Sequence, residues 1–100
     1  MVEEMVGIHD DQIKKALVSL VIEQALLEFE PPALEKVSNK LFEVYNCYIP
    51  DCYTKPEYLN KVLKDLFGNS HTVIIRSIRK RLEEFSSQDP IKNFLAKLSE

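Results

Sequence analysis

The chain has 100 residues, of which 45% are hydrophobic and 29% are charged, and its formal net charge is −3 at pH 7. This length suits one domain, and this balance of hydrophobic and charged residues is typical of a globular protein rather than a disordered one. The mildly negative net charge excludes the strongly basic proteins that bind nucleic acid through their overall charge. Only two glycines occur, and β-rich domains need glycine for their frequent turns. The sequence therefore predicts an all-α fold, a compact bundle of about five helices.

The first predicted helix is apolar on two sides. Residues 1–9 are expected to be a flexible lead-in to a single helical domain over residues 10–100, and Asp10 and Asp11 suit the positive end of a helix that runs to Phe29. A helix that is apolar on both sides must be covered on both sides, by the bundle or by self-association. If one side stays uncovered, the expected partner interface is Val18, Ile22 and Leu26. The opposite side carries Ile13, Ala16, Leu17, Leu20 and Leu27.

Prolines, a glycine and polar caps divide the rest of the chain into four helices. Pro31-Pro32 precedes an amphipathic segment over residues 33–45, and Pro56 opens a helix that Gly68 ends. The fourth helix is predicted to follow Asn69 or Ser70, and Asp89-Pro90 begins the last one. One residue from each predicted helix is expected in a shared core: Leu20, Leu41, Leu63, Ile78 and Phe94.

Residues 46–55 form a long connection that is rich in tyrosine and contains both cysteines. Tyr48 and Tyr53 are either a recognition surface for a partner or a roof over the core, and the length of the connection favours the roof. Cys47 and Cys52 are predicted to be free thiols rather than a disulfide or a metal site, because four residues between two cysteines is a weak metal signal. No cofactor and no bound metal are predicted.

The basic residues are concentrated on the fourth helix, at Arg76, Arg79, Lys80 and Arg81. A helix-turn-helix-like DNA-binding regulator would use such a face to contact phosphates. Acidic residues four positions after Arg79 and Lys80 favour a solvated face with ion pairs along the helix instead. Nucleic acid is therefore the less favoured partner.

The sequence contains none of the usual signs of an enzyme or a membrane protein. Phosphate-binding glycine loops and paired catalytic side chains do not occur, so the chain is predicted not to be an enzyme. No apolar run reaches the ~18 residues of a membrane span, and acids stand where a signal peptide carries bases. We therefore expect a cytoplasmic protein without a membrane partner.

Residues 59–68, which end in Phe67-Gly68, and the isoleucine-rich residues 73–82 after them resemble a known family. It is the small helical Nitrosopumilus output domain family, fifth type, of ammonia-oxidising archaea. The resemblance implies a signal-transduction output module, and no catalytic residue belongs to its motif. We expect a non-enzymatic intracellular module that binds another protein or a second copy of itself.

Overall fold

The computed structural model describes the backbone of residues 2–85 and 87–99 and the side chains of residues 12–85 and 87–99. Within these ranges it contains five α-helices, which confirms the predicted all-α bundle. They are α1 (Val2–Phe29), α2 (Ala33–Tyr45), α3 (Pro56–Phe67), α4 (His71–Leu82) and α5 (Asp89–Leu98). Short 3-10 helices at Ile49–Tyr53, Gly68–Ser70 and Glu83–Phe85 fill the connections.

The longest helix, α1, begins earlier than its sequence suggests. It starts at Val2 and passes through Asp10 and Asp11, so the beginning predicted at that pair is wrong. Aspartates are tolerated inside a helix as well as at its cap, so a pair of them does not have to mark its beginning. The flexibility predicted for residues 1–9 stays a prediction, and their side chains lie outside the described part.

Two residues with positive φ end the helices that flank the long connection. Asn46, at φ 55°, follows α2, and its N–H bonds to carbonyls in the last turn of that helix. Gly68, at φ 57°, follows α3 as predicted. A side chain at position 68 would have open space around its Cβ, so the conformation rather than crowding requires glycine there.

The core lies between α1 on one side and α3 on the other. Helix α1 packs against α2, α4 and the connection, whereas α3 packs against α2, α4 and α5. Leu41, Leu63, Ile78 and Phe94 are all buried, as expected. Leu20 is 51% exposed, so its predicted place in the core is wrong.

Polar contacts tie distant parts of the chain together. The side chain of Asn60 is buried and donates a hydrogen bond to the carbonyl of Leu98, which fastens the end of α5 to α3. Arg81 joins α4 to α1 through an ion pair with Glu28 and a 3.4 Å hydrogen bond to Gln24 Oε1. Within the described residues, no helix has both the length and the apolar character needed to cross a membrane.

Candidate interaction surface

The bundle covers the side of α1 that the sequence offered as a partner interface. Val18, Ile22 and Leu26 each have no exposed surface and lie in the intramolecular core. Together with Val21 and Ala25 they follow the spacing i, i+3, i+4, i+7, i+8, which gives a helix its broad core-facing side. The prediction that these three residues bind a partner is therefore wrong, and we call this set of five the packed face.

The opposite side of α1 is the one that stays uncovered. Ile13, Leu20 and Leu27 are 63%, 51% and 49% exposed, respectively. They recur every seven residues and therefore lie on one narrow line along the helix. We call these three residues the α1 stripe.

A groove of about 350 Å³ runs beside the α1 stripe. Ala16 and Leu20 of α1 form one apolar wall, and Pro50 of the connection contributes another. Polar side chains complete its rim: Gln12, Lys15, Ser19 and Glu23. Leu20 belongs to both the stripe and the groove, so an exposed apolar side chain and a concave space lie side by side there.

The connection between α2 and α3 is mainly a cover for the core. Ile49 and Cys52 are buried and Tyr53 is half-buried against the core. Its two ends are closed by the rings of Tyr45 and Tyr58, which stack with centroids 4.0 Å apart and planes at 5°. The predicted roof is therefore correct for most of the segment, including Tyr53.

Tyr48 is the exception in this connection. Its side chain is 62% exposed and its ring lies 5.7 Å from that of Phe42, itself 49% exposed. The backbone N–H of Tyr48 donates a 2.8 Å hydrogen bond to Asp51 Oδ2, which fixes the start of the 3-10 helix. Tyr48 and Tyr53 were both predicted to contact a partner, and of these two only Tyr48 has a largely exposed side chain.

Both cysteines are free thiols, as predicted. Burial, with smaller contributions from the nearby Cys47 and Asp51, raises the pKa of the Cys52 thiol to about 12. The Cys47 thiol donates to the carbonyl of Tyr45 at 3.3 Å. Among the side chains that the structure describes, no three His, Cys, Asp or Glu residues come together in a way that could hold a metal ion.

His71 has a local structural contact. It is half-buried at the beginning of α4, and its Nδ1 lies 2.8 Å from the carbonyl oxygen of Gly68. The contact places His71 at a hydrogen-bonded helix boundary. His9 lies outside the described side chains.

The four basic residues of α4 do not form one open surface. Arg79 donates to the carbonyl of Leu95 at 3.3 Å and to the hydroxyl of Ser99, and Arg81 is paired with Glu28. Arg76 and Lys80 are exposed and line a groove of about 370 Å³ with Arg79, Glu83 and Leu95. Two of the four predicted nucleic-acid contacts are thus engaged within the molecule.

Sequence reasoning did not identify the α1 stripe as an exposed surface. Ile13, Leu20 and Leu27 were placed together on one side of the helix, but that side was assigned to the core. Ile13, Ala16, Leu17 and Leu20 follow the spacing i, i+3, i+4, i+7, as the packed face does, so periodicity alone does not separate the two sides. No protein-family model, no curated protein and no solved structure matches the chain.

Proposed function

We propose that this chain is a non-enzymatic interaction module that binds another protein through the α1 stripe. One observation carries the proposal: three large aliphatic side chains lie in solvent at seven-residue spacing on a helix whose opposite face fills the core. Exposed apolar patches of this kind mark interaction sites, and a seven-residue repeat is the pattern by which one helix receives another.

The wider role follows from the resemblance to the output domain family. In that role the chain transmits a signal by docking onto a partner protein in the cytoplasm. The two free cysteines support this location, because reducing compartments keep thiols unpaired. Tyr48 is a secondary contact in the proposal, because tyrosine supplies rigid apolar area with one polar tip.

The experiment is a capture assay with matched variants. The immobilised chain is incubated with native lysate of the source organism, and retained proteins are identified by mass spectrometry. Leu20→Glu places a charge in the centre of the α1 stripe and should abolish retention of the specific partner. Val73→Glu is the control, because Val73 on α4 is also 51% exposed and lies outside the stripe. Equal retention by both variants contradicts the proposal.

A second candidate function is DNA binding through α4. The observation in its favour is the groove that Arg76, Arg79 and Lys80 line together. Its test is a gel shift with mixed-sequence DNA at several salt concentrations, because affinity that depends on phosphate contacts falls steeply with salt. The variant Arg76→Gln with Lys80→Gln should remove the shift, and no shift at ~50 mM salt would reject this function.

A further inference from the structure

A groove of about 420 Å³ lies between α2 and α3. Tyr45 of α2 stacks on Tyr58 of α3 at one end of it. Toward the other end, Lys40 Nζ of α2 lies 3.0 Å from Asp65 Oδ2 of α3. Because the earlier residue of α2 pairs with the later residue of α3, the two helices run antiparallel. These contacts hold the two walls together, and we call the space between them the α2–α3 groove.

The floor and one wall of the α2–α3 groove are apolar. Val62 is buried in the core beneath it. The ring of Tyr45 is half-buried and is held in place by its stack on Tyr58. Val44 adds an aliphatic side chain that is 53% exposed. The groove therefore offers a small apolar surface that a bound segment can cover.

The charged side chains of the groove carry an excess of positive charge. They are three lysines and one aspartate, in a chain whose formal net charge is −3. The ion pair of Lys40 with Asp65 balances one positive charge. Lys61 and Lys64 are both exposed, and among the described residues neither forms an ion pair or a hydrogen bond. Two positive charges thus remain beside an apolar floor.

We infer that the α2–α3 groove binds an acidic peptide segment of a partner protein, in which carboxylates flank an aliphatic side chain. The aliphatic side chain covers Val44, and the carboxylates pair with Lys61 and Lys64. The two lysines lie three residues apart, or about 4.5 Å along α3, so acids one helical turn apart in the partner match them. The groove shares no residue with the α1 stripe, and the inference therefore does not depend on the proposed function.

Two features of the groove favour a peptide over a nucleic acid. One face of the half-buried Tyr45 ring is covered by Tyr58, so this ring is a poor platform for a stacked base. Asp65 keeps 62% of its side chain exposed at the rim. Its carboxylate would repel a chain of phosphates, whereas a peptide can place a backbone N–H beside it.

The first test is fluorescence anisotropy of a short fluorescein-labelled peptide of glutamates and leucines, titrated with the full chain. We expect a Kd of about 10–500 µM at ~50 mM salt and weaker binding at ~500 mM salt, because salt screens exposed charges. A peptide with glutamine in place of glutamate and one with alanine in place of leucine should each bind at least about tenfold more weakly. A Kd above about 500 µM for the acidic peptide, or equal binding of the three peptides, overturns the inference.

The second test locates the site with matched variants. Lys61→Gln with Lys64→Gln should weaken binding of the acidic peptide at least about tenfold. Arg76→Gln with Lys80→Gln removes the same charge from α4 and should bind like the wild type. Val44→Ala removes part of the apolar surface and should weaken binding about threefold. Circular dichroism melts verify that each variant is folded. Equal losses in the two double variants would mean that overall charge attracts the peptide, and the groove would not be its site.

The third test examines the class of partner by competition. Unlabelled acidic peptide should displace the labelled peptide from the wild-type chain, whereas mixed-sequence single-stranded DNA at the same concentration of negative charge should not. If the DNA displaces the peptide more effectively, and if its own binding is lost in the Lys61→Gln, Lys64→Gln variant, the groove recognises phosphates and the choice of an acidic peptide is wrong.

Discussion

The two sides of α1 are both apolar, yet one fills the core and the other faces solvent. The packed face has five residues at the spacing i, i+3, i+4, i+7 and i+8, and all five are buried. The α1 stripe has three residues at intervals of seven, and all three are about half exposed or more. Apolar side chains alone therefore do not identify the core side; the side that is buried is the one on which α2, α4 and the α2–α3 connection pack.

Adjacent leucines provide the strongest test of this comparison. Leu26 is fully buried, whereas Leu27 is 49% exposed. Leu26→Ala removes packed atoms and leaves a cavity, so it should lower the free energy of unfolding by about 2–5 kcal/mol. Leu27→Ala should change it by less than about 1 kcal/mol. Urea denaturation followed by circular dichroism measures both, and similar losses in the two variants would mean that the faces are not distinct.

A second neighbouring pair tests how the α2–α3 connection covers α1. Ile49 is 5% exposed and Tyr48 is 62% exposed. Ile49→Ala should cost about 2–4 kcal/mol of unfolding free energy, because it uncovers the core beneath the connection. Tyr48→Ala should cost about 1 kcal/mol or less, mainly through loss of its ring contact with Phe42. If Tyr48→Ala lost more unfolding free energy than Ile49→Ala in the same denaturation assay, the statement that Ile49 covers the core would be wrong.

Thiol reactivity sharpens the comparison at Cys52. Its pKa is raised from 9.0 to about 12 because burial disfavours the thiolate, so about 1,000-fold less thiolate is present near neutral pH. Cys52 should react with a thiol reagent only after unfolding, and Cys52→Ala identifies the signal of Cys47. Between pH 9.0 and about 12 the Cys52 thiol ionises in the unfolded chain but not in the folded one. The free energy of unfolding should therefore fall as the pH rises through this range. Rapid labelling of Cys52 in the folded chain would contradict its burial.

The smallest expected effect concerns the contact between α1 and α4. A hydrogen bond and the positive charge of Arg81 hold the pKa of Glu28 below its usual value of 4.5. The carboxylate therefore stabilises the fold at pH values above its unfolded pKa, and this contribution is lost as the pH falls through the folded pKa. Arg81→Gln should return the pKa of Glu28 toward 4.5, as measured by an NMR titration. An unchanged pKa would mean that the pair does not persist in solution.

The fold could be predicted where single residues restrict the backbone. Within a helix, Pro56 and Pro90 are tolerated only in the first turn, and Gly68 adopts a positive φ. These constraints act locally and are visible in the sequence. The beginning of α1 was not predictable in this way, because Asp10 and Asp11 are compatible with a helix interior as well as with a cap.

The candidate surface was harder to predict because distant residues determine it. Helical periodicity placed Ile13, Leu20 and Leu27 on one line, but which line is covered depends on how α2, α4 and the connection pack. The partners of the basic residues are also remote: Arg81 pairs with Glu28 and Arg79 with Ser99. Spacing rules along one helix do not reveal contacts of this kind.

The stacked rings of Tyr45 and Tyr58 give the molecule an internal optical probe. The chain has four tyrosines and no tryptophan, so its near-ultraviolet absorption comes mainly from the four tyrosine rings. Two parallel phenols at 4.0 Å are close enough for their electronic transitions to couple. Separation of the ends of α2 and α3 would therefore alter the spectrum of the unlabelled protein.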